Sequence, residues 1–323
     1  MPATSTSAAP AATGSTAPAP TGRRTRIRAV ATPWLFATPA IVLFALFLIV
    51  PIGYAIYLSF RGFRVEGGGA FGRRVQTFVG FDNYLAALGD PGYVAGLGRV
   101  LLYGVIAIPS VLGLALLFAL LLDTPRVRAR GFTRTAIFLP YAVPGVIASL
   151  LWGFLYLPST SPLTYLAERL HAGPLDFFGF PALYFSLANI ALWSGVGFNM
   201  IIIFTSLRAI PTSIYEAARI DGASELQIAW RIKIPLVAPA LVLTGLFSVI
   251  GTLQLYSEPA TLRPMTTTIS STWVPLMKIY QEAFMNDNLG GAAAASVVLA
   301  LGILVLSLVL LRFFQRRTFG DNA

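Results

Sequence analysis

The sequence predicts an all-α integral membrane protein of six transmembrane helices, with a charged helix–glycine–helix elbow between the fourth and fifth. Three observations predict it. The 323 residues are 56% hydrophobic and only 11% charged, with a mean hydropathy of +0.74, whereas soluble domains carry about 25% charged residues. A larger core would not absorb that shortfall, because even large folded domains need a hydrated surface. Six runs without Asp, Glu, Lys or Arg, at about 34–60, 100–122, 135–158, 181–207, 236–257 and 289–311, each meet the roughly 20 residues that a helix needs to cross a bilayer. Between the fourth and fifth lies Ser213–Pro239, with three basic and three acidic side chains.

Taken in order, residues 1–28 read as a disordered basic tail. Ala, Ser, Thr, Pro and Gly fill it up to Gly22, too little apolar area to offset ordering entropy, and Arg23, Arg24, Arg26 and Arg28 follow. Residues 29–323 form the membrane domain. The first apolar run has 27 residues and ends YAIYLSF. A signal-peptide core spans about 7–15 residues and ends at small residues, so this run reads as a retained span.

Basic residues set the orientation. With the N-terminus inside, the inner segments hold 15 Lys and Arg and the outer segments 8, the bias expected of cytoplasmic loops. The discordant segment is the first outer loop, with Arg61, Arg64, Arg73, Arg74 and Arg99; long loops obey the rule less strictly. Six spans then place both termini and the elbow in the cytoplasm. The same bias accounts for the net charge of +10 better than nucleic-acid binding does.

Several chemistries are disfavoured. The chain has no cysteine and one histidine, His171, in a Gly- and Pro-bearing loop, so no metal-ligand set is expected. Catalysis needs a nucleophile with its base, paired carboxylates or a metal, and a non-catalytic subunit is expected instead. An ion-coupled secondary transporter would carry ionisable groups inside its spans. The six runs have none, and Glu258 stands only at the end of one.

The elbow is legible from its caps. Ser213 with Glu216, and Ser224 with Gln227, each match the capping-box spacing that satisfies orphan N–H groups reciprocally. Glu216 is placed in a first turn, where the helix dipole favours an acid. Gly222 can end the first helix in a left-handed conformation, and Pro235 ends the second. Ala217 and Ala218 leave one side nearly bare, while Ile214, Ile220, Leu226, Ile228 and Trp230 supply apolar area. Two readings stand: a docking element for another protein, or a loop that folds back on its own spans.

In the fifth run Thr244, Ser248, Thr252 and Tyr256 recur every four residues, one helix face. In the fourth, Asn189 and Trp193 are followed by Ser194, Gly195, Phe198 and Asn199. Hydroxyls, amides and rings suit a neutral polyhydroxyl ligand, yet the same residue types stitch membrane helices together at about 0.6 kcal/mol per contact. Pro39, Pro51, Pro109, Pro140 and Pro144 mark kinks or are tolerated in a bundle. Thr272–Phe284 reads as a short amphipathic outer helix, a possible contact for a binding protein.

Glu216-Ala217-Ala218, Asp221-Gly222-Ala223, Gln227 and Ile232-Lys233-Ile234-Pro235 together resemble the EAA motif of ABC importer permeases, with Ile234 where Leu is usual. RAIPTSIYEAARIDGA, and AIFLPYAVPGVIASLLWGFLY at Ala136–Tyr156, resemble the carbohydrate branch of maltose, glycerol-phosphate and multiple-sugar permeases. The resemblance runs from about Trp34 to Arg317. It implies a type I importer permease in a bacterial plasma (inner) membrane, with residues 211–235 as a coupling elbow seated on a cytoplasmic ATPase. Glu216, Ala217, Ala218, Asp221, Gly222 and Pro235 would make that coupling site. Implied partners are a second permease subunit, two ATPase subunits and an external substrate-binding protein; ATP and Mg would be used by the ATPases, and this chain would bind no cofactor. The expected cargo is a sugar, with a polyol or glycerophosphate as the alternative within the same class. Ser194, Gly195, Phe198, Ser248 and Thr252 match path positions of maltose-type permeases, and Asn189, Trp193 and Tyr256 join them as candidates. The run of Asn found there in the fifth span is missing, with only Gln254 nearby.

Overall fold

The computed structural model describes residues 23–66, 73–124, 127–171 and 175–318. Residues 1–22, most of the predicted tail, lie outside the described residues. The tail expectation is corrected at its end: a helix already begins at Arg23, consistent with the good helix propensity of arginine.

The chain divides into two units, residues 1–54 and 55–323. Helix Arg23–Phe44 passes through a π-turn, Ala45–Ile49, into helix Val50–Ser59, within which the first unit ends. Pro51 cannot donate to the preceding turn, and a local π-turn is a common way to absorb such an interruption. Trp34–Ser59 is apolar and long enough to be the first span.

In the second unit, Pro91–Asp123, Ala182–Arg208 and Leu289–Phe314 are also long enough to cross, and two bent pairs bring the number of spans to six. The third span bends by 94° between Arg130–Ala142 and Gly145–Tyr156, and the fifth by 65° between Glu225–Leu236 and Ala238–Leu253. Proline explains the first break: Pro144 has an extended ψ of 136° and disfavours helix in the residue before it. Pro109 sits inside an unbroken helix. The second span is longer than its apolar run, reaching from the Asp90 cap, which accepts from Tyr93 N–H at 2.8 Å, to Asp123.

The loop after the first span holds structure that its sequence did not announce. Arg61–Glu66 and Arg73–Phe78 pair as an antiparallel hairpin, with Phe63 opposite Gln76. The predicted Thr272–Phe284 helix is present as Pro275–Phe284. Its Lys278 bridges Asp90 at 3.0 Å and Glu282 at 3.1 Å, which clips it to the start of the second span.

The second and fourth spans run parallel and form the core. Toward the Asp90 end, Val100 and Tyr103 meet Leu183, Leu187 and Ile190. Toward the Asp123 end, Val111, Ala115 and Ala119 meet Val196, Met200 and Ile203. Alanines at four-residue spacing let the two backbones approach, the usual device of membrane helix packing. A second close approach occurs at Gly197, where a Cβ would sit 2.6 Å from Phe138 Cα. The corner of the third span rests there on the fourth. At about 1.5 Å per residue, the 33-residue second span separates the Lys278 clip from the elbow by about 50 Å.

Candidate functional site

Two regions bear on function, and the first is the elbow. Its first helix is Thr212–Ile220, and the cap is Pro211, with ψ 134° and no side-chain bond. The expected Ser213–Glu216 box is therefore corrected. Proline fixes an extended approach and starts the helix two residues early, so Ser213 lies inside the first turn and Glu216 beyond it. The corner forms as expected: Gly222 has φ +82°, and Ala223 N–H donates to Ala218 O at 2.9 Å. The second box is complete, with Ser224 N–H donating to Gln227 Oε1 at 2.8 Å and Gln227 N–H donating to Ser224 Oγ at 3.3 Å. Arg219 braces the corner on Glu225 at 2.9 Å.

The two sides of the elbow differ. Tyr215, Ile228 and Lys233 are buried against the bundle, while Ile220 and Trp230 are 86% and 65% exposed. Glu216, Ala217, Asp221, Gly222 and Pro235 are exposed, and Ala218 is half-buried.

Beneath it lies an interaction that the sequence reading missed. Lys233 Nζ donates to Asp123 Oδ2 at 2.6 Å, with both side chains buried. The Lys233 ammonium also stands 4.8 Å from the Tyr215 ring centroid, and Arg208 approaches Asp123 at 3.9 Å. Elbow, fourth span and second span thus meet at one carboxylate. A π-turn at Ala229–Lys233 shifts the helix register by one residue, the local change that accompanies the inward placement of Lys233. One signal was available: the chain has only two lysines, and both are in ion pairs.

The second region is a cavity of about 570 Å³. The second span contributes Tyr103, Ala107, Ile108 and Val111; the fourth contributes Ala191, Ser194, Gly195, Phe198 and Asn199. From the fifth come Phe247, Ser248, Gly251 and Thr252, and from the segment after it Gln254 through Glu258. Tyr141, at the corner of the third span, stacks on Phe198 with centroids 4.8 Å apart, making an aromatic wall.

Of the eight path candidates, Ser194, Gly195, Phe198, Ser248, Thr252 and Tyr256 line this cavity. Asn189 instead donates to the Tyr156 hydroxyl at 2.9 Å, and Trp193 packs edge-on against Trp152; neither is on the wall. Thr244 is buried and bonds back to Ala240 O at 3.0 Å. Tyr256 reaches the wall by another route than a shared helix face, because the fifth-span helix ends at Leu253 and Tyr256 stands outside it as the cap of the next helix, with φ −146° and ψ −53°.

The polar groups on the wall differ in availability. Ser194 Oγ donates to Ile190 O at 2.7 Å and Asn199 Nδ2 to Gly195 O at 2.9 Å, both within their own helix. Ser248 and Thr252 are only half-buried, and they line the cavity together with Gln254 and Glu258. Glu258, also missed as a site residue because it reads as a span terminus, belongs to helix Ser257–Leu262. Such a wall can hydrogen-bond a polyhydroxyl ligand and lay rings against its apolar faces. Among the described residues no group of three His, Cys, Asp or Glu is placed to hold a metal.

Comparison with known proteins gives a consistent result. Residues 84–320 match the family described as the binding-protein-dependent transport system inner membrane component. The chain is 33% identical over 291 residues to the sn-glycerol-3-phosphate transport system permease protein UgpA of Agrobacterium fabrum, covering 88% of this chain and 95% of that one. The protein of the same name from Escherichia coli O157:H7 is 29% identical over 298 residues, with 88% and 94% covered. Among solved structures, a bacterial ABC transporter involved in the import of the acidic polysaccharide alginate superimposes with a TM-score of 0.76 at 21% identity. It covers 91% of this chain and 98% of that chain, a likeness of fold.

Proposed function

Because this chain belongs to the binding-protein-dependent transport system inner membrane component family, we propose that it is one permease subunit of an ATP-driven importer of a sugar or polyol. It is a multi-pass membrane protein. The proposal places both termini and the elbow in the cytoplasm, on the strength of the arginine distribution. A second permease subunit would complete the path, two ATPase subunits would dock below, and an external binding protein would deliver cargo.

The observation that carries the proposal is the two-sided elbow: a buried underside at Tyr215, Ile228 and Lys233, and apolar Ile220 and Trp230 left open on the other side. Exposed apolar area beside charged groups marks a protein contact. Ala217 beside Glu216 leaves room for a close partner, and the Gly222 corner with the Ser224 box keeps the unit stiff. Closure of the ATPases would displace the elbow as a body. Through Lys233 and Asp123 the displacement reaches the second span as well as the fourth and fifth. Those three spans carry most of the cavity wall, so their rocking would open it to alternate sides.

The relatives named for sn-glycerol-3-phosphate raise a phosphate-bearing cargo as a second reading. No Lys or Arg is among the residues lining the cavity, and a phosphate would call for one. An uncharged cargo is therefore the favoured reading. The test is reconstitution of the complete transporter, with binding-protein stimulation of ATP hydrolysis and uptake both measured. Gly222→Pro is expected to leave the spans assembled and to uncouple hydrolysis from uptake, since proline cannot adopt φ +82°. Unchanged uptake in that variant would reject the elbow's role.

A further inference from the structure

Among the described residues, the acidic side chains that the fold shields have a cationic partner, with one exception. Asp123 has Lys233, and Asp90 and Glu282 share Lys278. Glu258 is half-buried, lines the cavity, and no Lys or Arg lines it with Glu258. A charge so placed acts on whatever enters, because field lines in a low-dielectric cleft are focused rather than screened.

We infer that Glu258 is a specificity-determining residue that gives this chain's side of the cavity a negative potential and selects polyhydroxyl cargo lacking phosphate or carboxylate groups. The inference rests on the reading of the cavity as the substrate path. A carboxylate accepts charge-assisted hydrogen bonds from two neighbouring hydroxyls, and Gln254, Ser248 and Thr252 add neutral partners on the same wall. The same group repels an anion, and no cation on this wall offsets it.

The chain has no cysteine, so Ser248→Cys introduces a thiol that is unique in this chain. In the complete transporter in membrane vesicles, this thiol is reacted with neutral, trimethylammonium-bearing and sulfonate-bearing methanethiosulfonates, and labelling of this chain is followed over time. Each rate is normalised to that of a free thiol in solution. The cationic reagent is expected to outpace the anionic one by about tenfold, what one unit charge produces across roughly 8 Å of partly hydrated space. Adding Glu258→Gln should bring the ratio close to one. Thr252→Cys provides a second position should Ser248→Cys assemble poorly. A ratio that Glu258→Gln leaves unchanged at both positions overturns the inference while leaving the path reading intact. A thiol inert to the neutral reagent at both positions rejects the path reading, and the inference with it.

Discussion

Asp123 and Glu258 are both carboxylates that the fold shields, and only Asp123 has a cationic partner. Asp123 sits at the end of the second span with Lys233 at 2.6 Å and Arg208 at 3.9 Å. Glu258 sits where the fifth-span helix has stopped, facing open volume. An ion pair of the first kind fixes one geometry: its partners cannot part without stranding a charge. A carboxylate without a cation clamps no such geometry, and its charge is left to act on what it meets. The seam at Asp123 is thus built to hold and the wall at Glu258 to discriminate.

The sharpest way to break the comparison is Lys233→Ala. Stranding the Asp123 charge should cost about 3–5 kcal/mol, read as a lower thermal midpoint of the purified transporter, whereas Lys233→Met combined with Asp123→Leu should recover most of that loss. A cost near that of a surface pair would mean that Arg208 takes over and the seam is no clamp. Glu258→Gln, by contrast, should leave the midpoint unchanged or slightly raised.

The elbow offers a smaller contrast of the same kind, between a bond that exists and one that the spacing only suggests. Ser224→Ala should destabilise by about 1 kcal/mol through loss of its cap, and Ser213→Ala by almost nothing, both checked by hydrogen exchange across residues 212–233. Equal effects would restore the first capping box.

The smallest effect concerns the Lys278 clip. The Tyr93 N–H, with Lys278 assisting, holds the Asp90 carboxyl below its ordinary 3.8. Burial works to raise Glu282, but Lys278, Asn288 and Asn286 outweigh it and keep it below 4.5. Burial works to lower Lys278, and its two acids raise it past 10.5. Depressed acids contribute fully above their unfolded values and lose that contribution as pH falls through the folded ones. The raised lysine loses its share as pH climbs above 10.5. Each pair is partly exposed and stabilises by at most about 1 kcal/mol. Protection of Pro275–Phe284 from hydrogen exchange should therefore be flat between pH 5 and 9, after correction for intrinsic exchange, and should weaken below about pH 4. A drop near neutral pH would show that some other group governs the clip.

What could be read from the sequence follows range. Hydropathy marks the spans because the bilayer judges each one locally, and the Gly222 corner is legible because the cap residues lie within a few positions of one another. The Lys233–Asp123 pair joins residues 110 positions apart. In sequence each looks like an ordinary charge at a membrane boundary, and Lys233 falls into the positive-inside count. Strict four-residue spacing put Thr244 and Tyr256 on one face. Thr244 then proved to bond its own backbone, and the helix stopped before Tyr256. Asn189 and Trp193 share the fourth span with Ser194 but face Tyr156 and Trp152; composition alone does not tell the two faces apart. The prolines of the third span were visible, but not the 94° bend they make.

That bend has a mechanical consequence at Gly197. With no side chain interposed, the peptide of Ile137 and Phe138 bears directly on the fourth span, as a journal bears on its bushing. Close-packed interiors pass strain on instead of absorbing it. A push arriving at the Arg208 end would reach the third span undamped, and even one methyl group at Gly197 would wedge the bearing open.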